Sequence, residues 1–396
     1  MHNDRSVALA CGGLAAMAAA LGIGRFVYTP ILPAMIGALG WSKADAGLVA
    51  SANLLGYFIG ALLAGRPLVA ARSRSWLLIA LASSAASTAL MAVPSDIASF
   101  ATLRFVGGIA SAFVIVCAST LVLERLSVSG HASLSAIHFA GVGFGIMISA
   151  IAVSAMLASG AGWRGLWVGS GAIAMLAAIA AAALIPPGKV SAASSSQAPG
   201  SGRSRAGAMI VAYGLFGFGY VITATFLVTI VRLTDEVRAL EPWVWILFGL
   251  AAIPSVAFWT RLGTRIGITN AFAAACVIEA IGVAASVQWV TISGVSLSAL
   301  LSGGTFMGLT ALGFMAAREL SGGNSHQAFG RMTASFGIGQ MLGPTLAGFL
   351  SEQFGSFRVA SLIAAAALIA AAALAVWTSM AAAADRRQNY LSASGD

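Results

Sequence analysis

The chain has 396 residues, of which 59% are hydrophobic and only 8% are charged, and its mean hydropathy is +0.93. A soluble protein of this length needs far more polar surface, so the composition excludes a soluble globular fold and indicates a protein of the lipid bilayer. The net charge of +9 does not indicate a nucleic-acid-binding protein, because the basic residues are scattered over short loops without interleaved aromatic residues.

Apolar runs separated by charged residues, proline or glycine predict an all-α integral membrane protein with twelve transmembrane helices. A helix needs about 20 apolar residues to cross the hydrocarbon layer, and these runs do not alternate as barrel strands do. The first run continues from Val7 to Met35, so we expect a span there and no cleavable signal peptide. The predicted spans are residues 7–36, 44–65, 76–94, 97–123, 133–158, 163–185, 207–231, 242–260, 269–290, 293–317, 328–351 and 357–382.

The first span contains the segment GRFVYTPILPAM, residues 24–35, which places Arg25 and Tyr28 inside an apolar run. An arginine exposed to lipid at mid-depth costs at least about 2.5 to 3.5 kcal/mol, so Arg25 is expected to face water or a partner. Pro30 and Pro33 each remove a backbone donor and free a carbonyl nearby. Arg25 and Tyr28 are therefore candidate substrate-binding residues; the alternative is that Arg25 only donates to the freed carbonyls.

The second and fourth spans place further polar residues at mid-depth. Asn53 and Tyr57 share one face of the second span, and Arg104 lies at the depth of Arg25 on the fourth. The only acid near the middle of a span is Glu279, so two buried cations face few anions of the protein. A guanidinium binds a carboxylate in two places, which favours an anionic substrate. Alternatively, Arg104 packs the fourth span against its neighbours.

The fifth span has His138 near one end, followed by Gly141, Gly143 and Gly145. Histidine changes charge near neutral pH, so His138 is a candidate for proton coupling. The alternative is that His138 packs against the glycine stripe.

A segment rich in serine, glycine and proline, residues 186–207, has the composition of a flexible linker. We therefore predict an N-terminal six-helix bundle at residues 1–187, a cytoplasmic linker at 188–206 and a C-terminal six-helix bundle at 207–396. Three glycine pairs support a duplication, because Gly22 and Gly217 are 195 residues apart, and the pairs Gly107 and Gly303, and Gly141 and Gly337, are 196 apart. Duplicated halves are typical of transporters, with a site at their interface near the midplane.

The C-terminal half also carries polar residues at mid-depth. Tyr220 and Thr223 lie on the seventh span, Thr305 on the tenth and Gln340 on the eleventh, and we expect them to line a cavity. Each alone could instead bond a neighbouring helix. Glu279, on the ninth span, is the second candidate for proton coupling; the alternative is a carboxyl that snorkels or stays protonated. Close helix packing and rocking are predicted at Gly108, Gly339, Gly343 and Pro344.

Basic residues predict the orientation, because lysine and arginine are retained on the cytoplasmic side of inner membranes. This places the chain in the bacterial inner membrane with both termini cytoplasmic. The face of the N-terminus collects Arg5, Arg66, Arg72, Arg74, Arg125, Lys189, Arg203, Arg205, Arg261, Arg265, Arg318, Arg331, Arg386 and Arg387, whereas the other face has Lys43, Arg164, Arg232, Arg238 and Arg358.

The sequence has no signature of an enzyme. It contains no GxxxxGK[ST] loop, no metal-ligand spacing, and no acid or histidine paired with a nucleophile inside a span. Cys11, Cys117 and Cys276 lie inside apolar runs without a CxxC spacing and read as packing residues. We therefore expect no cofactor and no metal, and any transport must draw on an ion gradient.

Several motifs resemble the major facilitator superfamily over essentially the whole chain. Arg104, Gly108 and Ala112 are similar to its conserved arginine motif, and LGTRIG, residues 262–267 including Arg265, is a degenerate form of its cytoplasmic loop signature. The segments GRFVYTPILPAM, IHFAGVGFGIMIS, GGTFMGLTALG and ASFGIGQMLGPTLAG resemble the bacterial YbfB/YjiJ-like branch. The resemblance implies that spans 1, 4, 7 and 10 line a central cavity, that 2, 5, 8 and 11 flank it, and that the remainder lie outside.

These observations predict a monomeric secondary active transporter that moves a small solute by proton-coupled alternating access, with an organic anion as the candidate substrate. Gly141, Gly143 and Gly145 resemble the place in the fifth span where antiporters of the superfamily carry a Gly-Pro motif, but the proline is missing here. The choice between symport and antiport therefore remains open. The first alternative is proton-driven efflux of amphipathic compounds. The second is a receptor or scaffold that transports nothing.

Overall fold

The computed structural model describes residues 2–187, 203–320 and 325–393, and the regular elements within these ranges are all helices. This confirms the predicted all-α membrane class. The α-helices are α1 (His2–Met17), α2 (Tyr28–Leu39), α3 (Lys43–Ala64), α4 (Pro67–Ala70), α5 (Ser73–Leu90), α6 (Ile97–Val128), α7 (Ser135–Ala158), α8 (Trp163–Leu184), α9 (Arg203–Arg232), α10 (Glu241–Ile266), α11 (Ile268–Gln288), α12 (Ile292–Leu320), α13 (Ser325–Gln353) and α14 (Arg358–Ala393).

Ten helical segments among the described residues are long and apolar enough to cross a membrane. The predicted third and eleventh spans are also helical, as α5 and α13, but both are richer in polar residues than the ten. Residues 188–202 of the predicted linker lie outside the described residues. Its last four residues, 203–206, belong to α9.

The first predicted span, residues 7–36, lies within one candidate membrane span, Asp4–Leu39, but its helix is interrupted in the middle. A π-helix at Ala18–Ile23 follows α1, and the turn 24–27 separates it from α2. The backbone N–H of Gly24 donates to Ala19 O at 2.9 Å, five residues back, as in a π-helix. Pro30 lacks the N–H that would continue an α-helix through this turn, so the break lies at Arg25 and its neighbours.

The first span and α9 lie at the centre of the helix assembly. In their most apolar stretches, 72% and 89% of the residues are buried, against 39% for both α8 and α14. The two segments contact each other through α2 and α9. α3 packs against α13, and α7 packs against α10, so these two pairs also join the N-terminal and C-terminal halves.

Two ends of the assembly can be told apart. At one end, Ser6, Arg125 and Pro186 come together, and we call it the basic face, defined by residues 4–6, 65–74, 125–134 and 185–187. At the other end, the Trp41 ring packs on Phe100, with centroids 4.9 Å apart. We call this end the opposite face, defined by residues 40–43, 91–96, 159–163, 233–240, 289–291 and 354–357.

Candidate substrate-binding site

Arg104 holds the broken first span together. Its Nη1 donates to Gly24 O at 3.0 Å and its Nη2 to Arg25 O at 2.9 Å. These carbonyls lie in the turn 24–27, and neither accepts a backbone hydrogen bond from the described residues. Buried carbonyls need a partner, so the guanidinium of α6 supplies the bonds that the interrupted helix lacks. This geometry agrees with the structural alternative for Arg104.

The α3 helix fixes the position of Arg104. Asn53 Nδ2 donates to Arg104 O at 2.8 Å. A side-chain carbon added to Gly108 would lie 2.0 Å from Asn53 O, so α6 and α3 pack closely through this glycine. Tyr28 faces the same guanidinium, at 5.0 Å from its ring centroid, while its hydroxyl donates to Ala46 O at 2.8 Å. Tyr28 and Asn53 thus support the joint around Arg104.

Arg25 projects from the turn and has different partners. Its side chain is 7% exposed, and its guanidinium lies 4.6 Å from the Tyr57 ring centroid and 5.3 Å from that of Phe26. Its Nη2 donates to Tyr220 OH at 3.4 Å, which is a long hydrogen bond. Among the described residues, no acid lies within ion-pair distance of Arg25. The guanidinium is therefore a buried positive charge held by ring faces and one phenol.

Tyr220 connects Arg25 to the C-terminal half. Gln340 Nε2 donates to Tyr220 OH, and the Gln340 Oε1 atom is buried with no partner among the described residues. Phe306 and Phe336 lie nearly parallel to the Tyr220 ring, with centroids 5.8 and 6.0 Å away. The sequence analysis did not single out these two phenylalanines. Their positions next to Thr305 and one helical turn before Gln340 could have indicated them.

A cavity of about 680 Å³ reaches from the basic face to Tyr57. Arg66 and Gly330 lie at its outer part, and its walls include Ile115, Phe139 and other apolar side chains. Tyr57 lines the inner part, and its ring also contacts the Arg25 guanidinium. Arg25 therefore lies directly behind the inner wall of the cavity.

The opposite face is closed by contacts between α3 and α13. Ser51 Oγ donates to Met341 O at 2.7 Å, and Thr345 Oγ1 donates to Ser51 Oγ at 2.8 Å. A side-chain carbon on Gly47 would lie 2.3 Å from Pro344 O, and one on Gly348 would lie 2.4 Å from Lys43 O. The two backbones are thus in direct contact at this end.

The predicted packing glycines lie at close helix contacts. Side-chain carbons on Gly141 and Gly145 would meet Leu14 O at 2.2 Å and Ala18 O at 2.6 Å, and one on Gly143 would meet the α10 backbone. On α13, a carbon on Gly339 would lie 2.1 Å from Gly214 O and one on Gly343 would lie 2.6 Å from Val221 Cγ1. Arg265 is exposed in the last turn of α10, apart from the cavity.

Thr223, Thr305 and the two proton-coupling candidates lie at separate places. Thr223 is fully buried on α9, and its hydroxyl has no partner among the described residues. His138 is fully buried, with Nε2 3.0 Å from the hydroxyl of Ser119, a residue of the cavity wall. Glu279 is fully buried between helices and accepts a hydrogen bond from Thr305 Oγ1. The structure therefore brings Arg25, Tyr57, Tyr220 and Gln340 together, whereas His138 lies apart and Glu279 is linked to that group only by its electrostatic interaction with Tyr220.

Comparison with known proteins places this arrangement among transporters. The family model described as "Uncharacterised MFS-type transporter YbfB" matches residues 17–376. A crystal structure of a single-site mutant of the nucleoside transporter NupG superposes with a TM-score of 0.74, at 16% identity, covering 94% of this chain and 99% of that one. A second NupG crystal structure gives a TM-score of 0.68, at 15% identity, covering 94% and 98%. No curated protein sequence matches this chain.

Proposed function

The chain belongs to the family of MFS-type transporters that includes YbfB, and from this premise we propose that it moves a small organic anion across the bacterial inner membrane by alternating access. The proposal includes twelve spans in two six-helix halves, with α5 and α13 crossing the bilayer, both termini in the cytoplasm and a monomer as the working unit. One observation carries it: Arg25 is a buried cation without an ion-pair partner among the described residues, directly behind the inner wall of a cavity.

The two arginines have different capacities for a ligand. Arg104 already donates to two backbone carbonyls of the broken span. Arg25 makes one long hydrogen bond to Tyr220, so its planar fork can still bind a carboxylate through two parallel bonds. Tyr57 presents a ring face to that fork and Tyr220 a phenol, and Gln340 donates to the Tyr220 hydroxyl. We therefore assign anion binding to Arg25.

The cavity supports alternating access because, among the described residues, it reaches one face while a helix contact lies at the other. It reaches the basic face, while the α3 and α13 backbones touch near the opposite face at Gly47 and Gly348. This conformation corresponds to an inward-facing state if the basic face is cytoplasmic, as the bias of lysine and arginine favours. Transport then requires the contact between α3 and α13 to open while the cavity closes.

Transport by this chain is proposed to be proton-coupled, with His138 and Glu279 as the candidate groups. His138 is linked to the cavity through Ser119, and Glu279 is the buried acid of α11. A charge in the hydrocarbon region is costly, so a titratable group that persists there is a functional candidate.

Efflux of amphipathic compounds is the second candidate function. The observation that favours it is the apolar wall of the cavity, which includes Leu62, Ile115, Val116, Leu123 and Phe314. Under this alternative the stacked rings around Tyr220 bind a flat apolar group and Arg25 has only a gating role. The NupG structures belong to a transporter of nucleosides, which also contain flat rings, but at about one residue in six identical they support the fold alone.

Ligand-dependent thermal stability of the purified protein tests the proposal, because a ligand that binds only the native state raises its apparent stability. The probes are acetate, succinate and benzoate as anions, tetraphenylphosphonium as an amphipathic cation and glucose as a neutral solute. The variants are Arg25→Gln and, as a matched control, Arg66→Gln in the exposed part of the cavity wall.

We expect at least one carboxylate to stabilise the wild type and Arg66→Gln but not Arg25→Gln. Stabilisation by tetraphenylphosphonium that Arg25→Gln retains would overturn anion binding and favour efflux. A third outcome is that no solute stabilises the protein, that none is transported into vesicles containing it, and that the protein binds another protein. This outcome would favour a receptor or scaffold.

A further inference from the structure

Glu279 lies on α11 in an unusual environment for a carboxyl group. It is the only charged residue of α11, its side chain is fully buried, and α11 is described throughout. Thr305 Oγ1 on α12 donates to Glu279 Oε2, whereas Oε1 is buried without a partner among the described residues. No cation in the described part of the chain forms an ion pair with it. A buried carboxylate without compensation is costly, so this site favours a bound proton.

Hydroxyl groups continue from Glu279 toward the opposite face. α11 and α12 are antiparallel neighbours, and Glu279 faces Thr305 across their contact. One turn further, a side-chain carbon on Gly282 would lie 2.9 Å from Ser302 Oγ, so Gly282 faces Ser302. The same register places Ser286 opposite Ser298.

These positions form one column, because Thr305, Ser302 and Ser298 are spaced by three and four residues on α12 and share a face. All three side chains and that of Ser286 are at most 1% exposed. The Ser302 and Ser298 hydroxyls have no partner among the described residues, so both can still donate and accept. Beyond Ser298, α12 begins at Ile292 beside the exposed Trp289 of the opposite face.

We propose that Glu279 binds the coupling proton and that the hydroxyls of Ser302, Ser298 and Ser286 conduct it from the opposite face. In this step a proton adds to a carboxylate oxygen of Glu279, which becomes a neutral carboxylic acid, and the reverse step restores the charge. Hydroxyls one helical turn apart, about 5.4 Å along the axis, are close enough for a single water molecule to bridge them, and the proposal requires such waters. The inference deepens the proton coupling of the proposed function and selects Glu279 over His138 as its carrier.

The other titratable and charged groups around α11 leave Glu279 as the proton-binding group of this column. Cys276 on α11 and Tyr220 on α9 interact with Glu279 electrostatically. α14 has one charged residue near the opposite face among its described side chains, Arg358, and it is exposed. α10 has charged residues at its two ends, Glu241, Arg261 and Arg265. α12 presents Thr305 and Ser302 to the carboxyl group.

Infrared spectroscopy of the protein in lipid membranes tests the inference without any transported solute. A protonated buried carboxyl group gives its own carbonyl band, which loses intensity as the pH rises and shifts when deuterium replaces the proton. We expect Glu279→Gln to remove one such band and Ser302→Ala to slow its deuterium exchange by about tenfold or more, the equivalent of 1.4 kcal/mol in barrier height. The matched controls are Glu319→Gln, which changes an exposed acid of α12, and Ser170→Ala, which removes a buried hydroxyl of α8 that has no partner among the described residues.

Three results would overturn the inference: a band that persists in Glu279→Gln, a band whose intensity does not change with pH, and exchange in Ser302→Ala as fast as in Ser170→Ala. If Glu279→Gln does not fold, the exchange rates of the Ser302→Ala and Ser286→Ala variants decide. If the infrared experiment fails while a carboxylate still stabilises the protein through Arg25, only this proton site is rejected. If the Glu279 carbonyl band behaves as expected but no carboxylate stabilises the protein, the anion proposal is rejected instead.

Discussion

Arg25 and Arg104 both lie at the break in the first span, yet their side chains bond different kinds of partner. Arg104 Nη1 and Nη2 both bond the backbone, whereas Arg25 contacts rings and one phenol. Loss of a partner leaves a buried carbonyl unsatisfied, which costs about 1 to 3 kcal/mol for each group. The residues should therefore separate into one that stabilises the fold and one that binds the ligand.

We predict that Arg104→Gln lowers the melting temperature of the ligand-free protein far more than Arg25→Gln does. Thermal unfolding in detergent, followed by tryptophan fluorescence, measures both. Equal melting temperatures for the two variants would contradict the structural role of Arg104, and Arg66→Gln, in the exposed cavity wall, should match the wild type.

A second residue-scale prediction concerns Asp96, the exposed N-cap of α6. Hydrogen bonds from Ser99 hold the pKa of Asp96 below its ordinary value, and Ser99 N lies 2.9 Å from Asp96 Oδ1. Because the folded state favours the carboxylate, the cap stabilises the protein above the unfolded pKa and this contribution is lost as the pH falls through the folded pKa. The melting-temperature gap between wild type and Asp96→Ala should therefore shrink on acidification. Asp96→Asn keeps a capping oxygen, so its stability should not share this pH dependence.

At the scale of helices, the contact between α3 and α13 determines which end of the cavity is closed. Gly47 leaves no room for a side chain, since its added carbon would lie 2.3 Å from a backbone oxygen, and backbone cannot yield as a side-chain tip can. Gly37 on α2 has open space around it and offers a matched control.

We predict that Gly47→Leu separates α3 from α13 and shifts the population toward a state open at the opposite face, whereas Gly37→Leu does not. Distances between spin labels at position 48 on α3 and position 353 on α13, both exposed, measure this separation, in a background without the three native cysteines. A distance distribution unchanged by Gly47→Leu would show that the contact does not control the opening.

Much of the helix pattern was predictable, because hydropathy over about 20 residues reports directly on a bilayer. The break at residues 18–27 was not predicted in position or form, since Pro30 and Pro33 act on carbonyls several residues earlier and the π-helix depends on packing. Hydrogen bonds also escaped prediction, as the role of Arg104 shows. The offset of 195 residues between Gly22 and Gly217 also separates Arg25 from Tyr220 and Thr29 from Ala224; both pairs are in contact, which the offset was not used to predict.

At the scale of the whole molecule, the number of spans determines which loops share a side of the membrane. The twelve-span topology requires α5 and α13 to cross the bilayer even though they are more polar than the other spans. With ten spans instead, every loop between α5 and α13 would lie on the other side, and the loop after α13 would return to the side that it has with twelve spans.

Cysteine labelling in whole cells tests this topology. In a cysteine-free background, we expect an impermeant maleimide to react with Val93→Cys and Phe354→Cys, which lie beyond α5 and α13 on the opposite face and are exposed. Arg72→Cys and Ser129→Cys, on the basic face, should react only after the cells are opened. Labelling of Arg72→Cys and Val93→Cys from the same side would reject a crossing by α5.

The joint between α1 and α2 also has a consequence for biogenesis. Its carbonyls are bonded by Arg104, a residue synthesised about eighty positions after Gly24. When the first span leaves the ribosome, those carbonyls have no partner, and lipid offers none. We therefore expect the nascent segment to remain in a hydrated environment at the insertion machinery until α6 emerges. Stable release of the amino-terminal segment into the bilayer should then be timed by the arrival of a single arginine.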